Sequence, residues 1–445
     1  MTTYSQRVYQ TLKDKYPEQE DFLGAVEEFF QAIQPVLEAH PEYEDLAILE
    51  RMVEPERIFI FRVPWLDDEG KVQVNTGYRV QYSSLNGPYK GGIRFHPTVN
   101  LSIMKALAFE QTFKNSLTTL PIGGGKGGAD FDPKGKSDQE VMKFTQSFVT
   151  ELQKYIGQDQ DVPAGDIGVG GREIGYMMGQ YRRLNDAAGG VFTGKPVLAG
   201  GSLGRTQATG HGVVYFLNHV LEAAGDSLAG KRVMISGAGN VAYYAAELVE
   251  ELGGIVVSLS DSTSAVYQPD GLDLNIVKEL KIEGRERISR YLEEDPEAKN
   301  FEGSLWDQDI QADIALPCAT QGEINGDQAQ RLVDNGVRYV VEGANLPCNK
   351  EAQAVFKEAG VQRAPAKASN AGGVAVSALE MAQNSMRLAW NADRVEEKLQ
   401  AIMQSIFDQC LEACKKYDLD QDYVAGADIA SFENIAELMK LQGVI

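Results

Sequence analysis

Apolar residues recur at helical spacing early in the chain. Phe22, Val26, Phe29, Phe30, Ile33, Val36 and Leu37 form one stripe between about Gln19 and His40, which predicts an amphipathic helix used for packing. The period then changes. Arg57-Ile58-Phe59-Ile60-Phe61-Arg62-Val63 alternates and is rich in β-formers, predicting a strand. Asp67-Asp68-Glu69-Gly70 predicts a turn, followed by a second strand near Val72 to Val74 and a third over Tyr78 to Tyr82. Glycine and proline make Asn86 to Pro97 read as a loop, while Ser102 to Leu120, rich in Ala, Leu, Met and Lys, predicts a helix. Gln111 and Lys114 project from one face of that helix. Pro121 ends it. Beyond the 190s the pattern alternates between buried-type strands (Lys231 to Ser236, Ile255 to Leu259, Ala312 to Leu316, Val337 to Val341) and helical segments, one of them running to Leu252. That alternation predicts a parallel, doubly wound sheet. No internal repeat or low-complexity tract interrupts it.

A chain of 445 residues exceeds what one core usually supports, so two domains are expected. The composition around Gly194 to Gly204 reads as the hinge between them. At 43% hydrophobic and 24% charged residues the chain has an ordinary globular balance. Its 64 acidic against 42 basic residues give a net charge of −22, which repels nucleic acid and anionic lipid, so neither is expected as a partner. No apolar run is long enough to cross a bilayer, and Met1 to Arg7 lacks an apolar signal segment. Four cysteines are too few for a disulfide framework at this length. A cytoplasmic location is the expectation.

Against that acidic background, gathered lysines stand out. Pro121-Ile122-Gly123-Gly124-Gly125-Lys126-Gly127-Gly128 reads as a glycine loop holding one lysine, its backbone free to approach a ligand closely. A lysine held out of water beside other cations gives up its proton more readily and serves as a base near neutral pH, a use closed to arginine. Lys90, Lys114 and Lys126 fall before, on and after one helix, an arrangement able to gather three ammonium groups. Asp161 to Gly171 reads as a second glycine-dense loop with paired acids.

Gly237-Ala238-Gly239-Asn240-Val241-Ala242 fits G-x-G-x-x-G/A between a strand and a helix, with Asp261 ending the next strand near the expected interval of about 20 residues. This predicts a dinucleotide site, its pyrophosphate on the helix N-terminus. By the simple rule Asp261 would bond ribose hydroxyls and prefer NAD. Ser262, with the basic run Lys281, Arg285 and Arg287, tilts the expectation to NADP, NAD staying open. Gly200-Gly201-Ser202-Leu203-Gly204 imitates a nucleophile elbow, but the last histidine, His219, is only 17 residues beyond Ser202, too close for a hydrolase triad. Lys126 is followed by glycine, not Ser or Thr, and Leu120 stands where a phosphate loop needs its first glycine. Cys410 and Cys414 read as buried thiols, and His96 and His211 as packing or hydrogen-bonding groups; no metal is expected.

Lys90-Gly91-Gly92-Ile93-Arg94-Phe95, Phe109-Glu110-Gln111-Thr112-Phe113-Lys114, the 121–128 run, Pro163-Ala164-Gly165-Asp166-Ile167-Gly168, Ala208-Thr209-Gly210, Pro317-Cys318-Ala319-Thr320, Glu342-Gly343-Ala344-Asn345 and Asn370-Ala371-Gly372-Gly373-Val374 resemble glutamate dehydrogenases of the homohexameric class, within the Glu/Leu/Phe/Val dehydrogenase family. The resemblance runs from about Arg51 through Gln442-Gly443-Val444-Ile445. It implies an oxidoreductase of amino-acid metabolism and ammonia assimilation, converting L-glutamate reversibly to 2-oxoglutarate and ammonium. It also implies a homohexamer.

By position, Lys126 resembles the catalytic lysine that activates water and Asp166 the acid that exchanges protons with the amino group. Lys114 with Gln111 would hold the α-carboxylate, the Gly165 carbonyl the amino group, and Lys90 with Ser377 the side-chain carboxylate. Thr209 would fix the nicotinamide amide, with Asn240 and Asn345 meeting the coenzyme beside Gly237, Gly239 and Ser262. Two cationic anchors suit a dicarboxylate, and an apolar substrate tail would not tolerate a buried Lys90. Two stretches depart from the family pattern, Arg205-Thr206-Gln207 before Ala208 with His211 after Gly210, and Leu346-Pro347-Cys348-Asn349.

The expected architecture is therefore α/β in two domains. Residues 1–199 form an α/β substrate and oligomerisation domain, to which a C-terminal helix over 423–445 returns. Residues 200–422 form a Rossmann-type, doubly wound dinucleotide domain.

Overall fold

The alternating run after residue 56 forms a hairpin in the computed structural model, which describes residues 3–185 and 189–444. Met1, Thr2 and Ile445, named above at the ends of the expected domains, lie outside the described residues, as do Asp186, Ala187 and Ala188. Strand β1 (Arg57–Leu66) pairs antiparallel with β2 (Val72–Ser83), a single strand where two were expected. The apolar stripe near the N-terminus is two helices, Glu20–Ala32 and Gln34–Ala39. Pro35 lacks the N–H that would carry one helix through the joint.

The largest correction concerns the glycine-rich segments. The runs read as loops at 86–97, 121–128 and 161–171 contain strands β3 (Tyr89–Phe95), β4 (Gly124–Ala129) and β5 (Asp161–Gly165). With β1 and β2 they make a five-stranded sheet in the order β1-β2-β4-β3-β5. Glycine is needed in β4 because both faces are pressed. A β-carbon on Gly124 would stand 2.6 Å from Thr112 Cα, and one on Gly128 3.2 Å from Met104 Sδ, both on helix Leu101–Leu117. On the other face a β-carbon on Gly127 would lie 3.1 Å from Arg79 Cδ. Arg79 is wholly buried and paired with Asp161, to which its Nε donates at 2.8 Å. The helix is capped by Asn100, whose side chain accepts from Ile103 N at 2.9 Å, and it stops short of Leu120.

The first of two units contains Met1–Leu203, Val374–Val395 and Asp428–Ile445; the second contains Gly204–Gly373 and Glu396–Ala427. Residues 374–395 thus pack with the first unit, whereas the sequence reading ran 200–422 as one piece. Their counterparts lie far upstream: Glu380 pairs with Lys195, a contact that periodicity does not reveal.

The second unit holds β6 (Arg232–Ile235), β7 (Ile255–Ser260), β8 (Ser264–Tyr267), β9 (Lys299–Glu302), β10 (Ile314–Leu316), β11 (Tyr339–Val341) and β12 (Gln362–Ala364). They line up as β12-β11-β10-β6-β7-β8-β9, parallel from β12 to β7 and antiparallel at β8 and β9. This is the expected doubly wound sheet with an added antiparallel edge. Strand order reverses beside β6, between β7 and β10, the switch point at which such sheets bind ligands. Among the described residues no helix is long and apolar enough to cross a membrane.

Candidate active site

In the first unit the sheet itself delivers the candidate base. Lys126 sits within β4, opposite Val80 of β2, and is only 7% exposed. Asp166 follows the last residue of β5 and closes a short bridge with Val169. Lys126 Nζ lies 3.1 Å from Asp166 Oδ2, and Arg94 Nε donates to that same oxygen at 2.8 Å. Burial pushes the Asp166 carboxyl up, but the Lys126 and Arg94 cations outweigh it and hold the group below the usual carboxylate range. The repulsion expected among lysines is therefore answered at Lys126 by a counter-charge.

Strand β3 runs parallel to β5 and sets Lys90 opposite Val162. Lys90 is 1% exposed, and its Nζ donates to Thr193 Oγ1 at 2.8 Å. Its carbonyl accepts from Asn115 Nδ2 at 3.1 Å, while the same amide donates to Gly123 O at 2.6 Å. Gln111 Nε2 donates to Asn115 Oδ1 at 2.6 Å, so Asn115 ties the helix of Gln111 and Lys114 to β3 and to the start of β4. Gly165 ends β5, and a β-carbon there would run into the Val169 carbonyl. Ser377 is buried on helix Gly372–Met386. Of the expected site residues, the structure joins Lys126 directly to Asp166 and links Gln111 to Lys90 through Asn115. Arg94, Asn115 and Thr193 were not singled out from the sequence. Arg94 lay inside a quoted motif, whereas Asn115 and Thr193 are lone polar residues whose partners are distant in sequence.

In the second unit the turn after β6 has the shape a dinucleotide needs. Gly237 has φ +83°, and its N–H donates to Ser260 Oγ at 3.0 Å. A β-carbon on it would meet the Cys318 carbonyl and Ala319 after β10. Gly239 caps helix Asn240–Glu251 without a side chain, and a β-carbon there would meet nothing within 4 Å. The helix N-terminus is thus open to a phosphate. Thr209 is the second residue of helix Ala208–Ala223, its Oγ1 2.5 Å from where a β-carbon on Gly373 would stand. Asn345 Oδ1 accepts from Asn370 Nδ2 at 3.0 Å.

Asp261 departs from the simple rule. Its Oδ1 accepts from Thr263 N at 2.9 Å and Thr263 Oγ1 at 2.7 Å; its Oδ2 accepts from Ile288 N at 2.9 Å and Lys281 at 3.2 Å. Burial opposes ionisation, yet these donors hold the carboxyl far below its usual range. Both oxygens are engaged by the protein, which leaves ribose hydroxyls poorly served. Ser262 Oγ instead accepts from Arg287 at 3.0 Å in an exposed position. Lys281 is turned to Asp261 and to the Glu286 carbonyl. Cys410 and Cys414 are buried, and His211 meets Glu396 at 3.1 Å. Among the described residues no group of three or more His, Cys, Asp or Glu is placed to hold a metal ion.

Comparison with known proteins bears on the family. The model described as Glutamate/Leucine/Phenylalanine/Valine dehydrogenase matches residues 200–443, and that of the Glu/Leu/Phe/Val dehydrogenase dimerisation domain matches residues 55–183. The chain is 54% identical over 435 residues to an NADP-specific glutamate dehydrogenase of Chlorella sorokiniana, covering 97% of this chain and 82% of that one. It is 49% identical to an NAD-specific glutamate dehydrogenase of Clostridium symbiosum, with all of both chains covered. The crystal structure of Plasmodium falciparum glutamate dehydrogenase superimposes with a TM-score of 0.96 at 47% identity, over 99% of this chain and 95% of that one. Sequence and fold agree over nearly the full length, and the chain belongs to the glutamate/leucine/phenylalanine/valine dehydrogenase family.

Proposed function

We propose that this chain is a glutamate dehydrogenase that oxidatively deaminates L-glutamate to 2-oxoglutarate and ammonia, reversibly, with NADP as the favoured coenzyme and NAD the alternative. The observation that carries the reading is the buried contact between Lys126 and Asp166. A nicotinamide bound there would supply the acceptor for the hydride of the α-carbon. The chain's own residues do the rest. Asp166 takes and returns protons at the substrate nitrogen, and Lys126 draws a proton from water as that water adds to the iminium carbon. Lys114 and Gln111 hold the α-carboxylate and the Gly165 carbonyl the amino group. Lys90, Ser377 and Thr193 hold the distal carboxylate. Fixing both ends of the diacid orients its α-carbon for transfer, where orientation contributes most to rate. A buried Lys90 disfavours leucine, valine or phenylalanine, whose apolar tails leave the ammonium unanswered.

Gly237, Gly239 and the Asn240 helix end suit the coenzyme pyrophosphate, Thr209 the nicotinamide amide, and Asn345 with Asn240 the remaining polar contacts. Ser262 and Arg287 suit a 2′-phosphate, while the internally engaged Asp261 counts against a ribose-hydroxyl role. A homohexamer in the cytoplasm completes the reading. Its support is the outer face of the β1–β2 hairpin at the sheet edge, where Ile58, Ile60, Leu66, Val72 and Val74 are exposed.

The test is an initial-rate assay at the nicotinamide absorbance, run in both directions with NADPH and with NADH. Turnover with 2-oxoglutarate and ammonium is expected, faster with NADPH, and Lys126→Ala lowers kcat roughly 10²–10⁴-fold. Protein that binds both ligands yet gives no absorbance change would instead be a sensor, and the proposal would fall.

A further inference from the structure

Besides Arg79–Asp161, the first unit holds another fully buried ion pair that takes no part in the chemistry above. Lys195 and Glu380 have side chains 0% exposed, with Nζ 2.6 Å from Oε1. The other carboxylate oxygen, Oε2, accepts from the Gly194 N–H at 3.0 Å, and the Lys195 ammonium also donates to the Phe192 carbonyl. Residues 192, 194 and 195 are thereby held by one pair of charges, and residue 193 is bracketed between them. That residue is Thr193, whose hydroxyl receives Lys90 Nζ at 2.8 Å and whose N–H reaches the Pro163 carbonyl at 3.0 Å. At the other end of the pair, Glu380 lies three residues after Ser377, one turn along the same face of helix Gly372–Met386. Two further bonds keep that helix in register with the same segment: Gln383 Nε2 to Ser202 Oγ and Asn384 Nδ2 to Gly200 O, each at 2.8 Å.

The pair is a poor device for stability alone. Taking two charges out of water costs about as much as their attraction returns, and a well-packed apolar pair of similar volume does as well or better. Burial pushes the Lys195 ammonium below the ordinary lysine range, with Glu380 opposing it. What an apolar pair would not supply is direction. One carboxylate binds an N–H and an ammonium at fixed angles, so the loop and the helix hold one relative placement.

We propose that the Lys195–Glu380 pair is the positioning element that makes this enzyme select a diacid, by holding Thr193 and Ser377 in one fixed relation for the distal carboxylate. The inference rests on the proposed glutamate reading and adds two residues that touch no substrate atom. A carboxylate at 380 without Lys195 would also stand unneutralised behind the Thr193 loop and oppose a second negative charge.

The experiment compares wild type, Glu380→Gln and the doubly neutral Lys195→Met/Glu380→Gln as full-length enzymes. L-glutamate is set against L-norvaline, which has the same carbon count and no distal carboxylate. In both variants the KM for L-glutamate is expected to rise by roughly ten- to a hundredfold, with coenzyme KM and the norvaline kcat/KM within about twofold of wild type. The glutamate-to-norvaline selectivity ratio then falls with the KM change. If Glu380→Gln does not fold with its lysine left unpaired, the double variant decides. An unchanged ratio in a folded double variant overturns the proposal, and so does a parallel loss with both substrates, which marks a purely structural pair. A wild type active on norvaline but not on glutamate sinks the glutamate reading itself, and the two failures are thereby told apart.

Discussion

Asp166 carries both of its cations on one oxygen. Lys126 and Arg94 both meet Oδ2, and under the proposed chemistry the substrate amine would meet Oδ1. Arg94 therefore favours the ionised form of Asp166. Removing a neighbouring cation makes a carboxylate hold its proton more tightly, so Arg94→Gln raises the Asp166 value. The pH below which the group is protonated then moves up. A kcat/KM profile against pH checks this: its acid limb shifts to higher pH, and a limb that stays put removes Arg94 from the mechanism. The same sign governs stability. A carboxyl held low by its partners contributes stability above the ordinary value near ~3.9, and that contribution is lost as pH falls through the folded value. At this scale the sequence singles out Lys126, Asp166 and Lys90 as rare types in dense motifs, and the structure pairs the first two. It was silent on Thr193, which meets Lys90 across 103 positions. It was also silent on Asn115, since a single buried amide has no periodic signature.

Among the elements, β4 explains why its neighbourhood was misread. Strand prediction rests on β-branched and aromatic residues, and Gly124, Gly125, Gly127 and Gly128 have no side chain to contribute. They are there because helix Leu101–Leu117 and the buried Arg79 press on the two faces. The strand is specified by what leaves room for its neighbours, a property of the assembled layers that no local window contains. Gly124→Ala drives a β-carbon to within 2.6 Å of the Thr112 backbone. It is expected to destabilise the protein by about 1–3 kcal/mol, seen as a lower thermal midpoint. Gly179→Ala is the control: it is exposed in helix Gly171–Leu184 with nothing within 4 Å, so its midpoint rises slightly. If Gly124→Ala melts like wild type, the close packing of helix on strand is wrong. Where residues do speak locally, as in the alternation of β1 or the turn between β6 and helix Asn240–Glu251, the sequence reading and the structure agree.

For the whole molecule, a net charge of −22 keeps copies apart unless a surface favours contact. The proposed assembly would use the outer face of β1, where Ile60 is 55% exposed and paired across the hairpin with Tyr78. Ile60→Lys places a charge in that face and is expected to shift the sedimenting species to lower mass with the monomer fold retained. An unaltered mass would place the interface elsewhere. The parallel sheet of the second unit was legible because strand and helix alternate, while β8, which follows β7 with no helix between them, falls outside that alternation. The return of 374–395 to the first unit was not legible at all, since packing partners carry no mark in the chain. That return has a consequence for synthesis. A ribosome that has made residues 1–203 has yet to supply the counter-ion of Lys195, which is encoded 185 positions later. The unit begun first therefore cannot close this buried pair until most of the chain has been made.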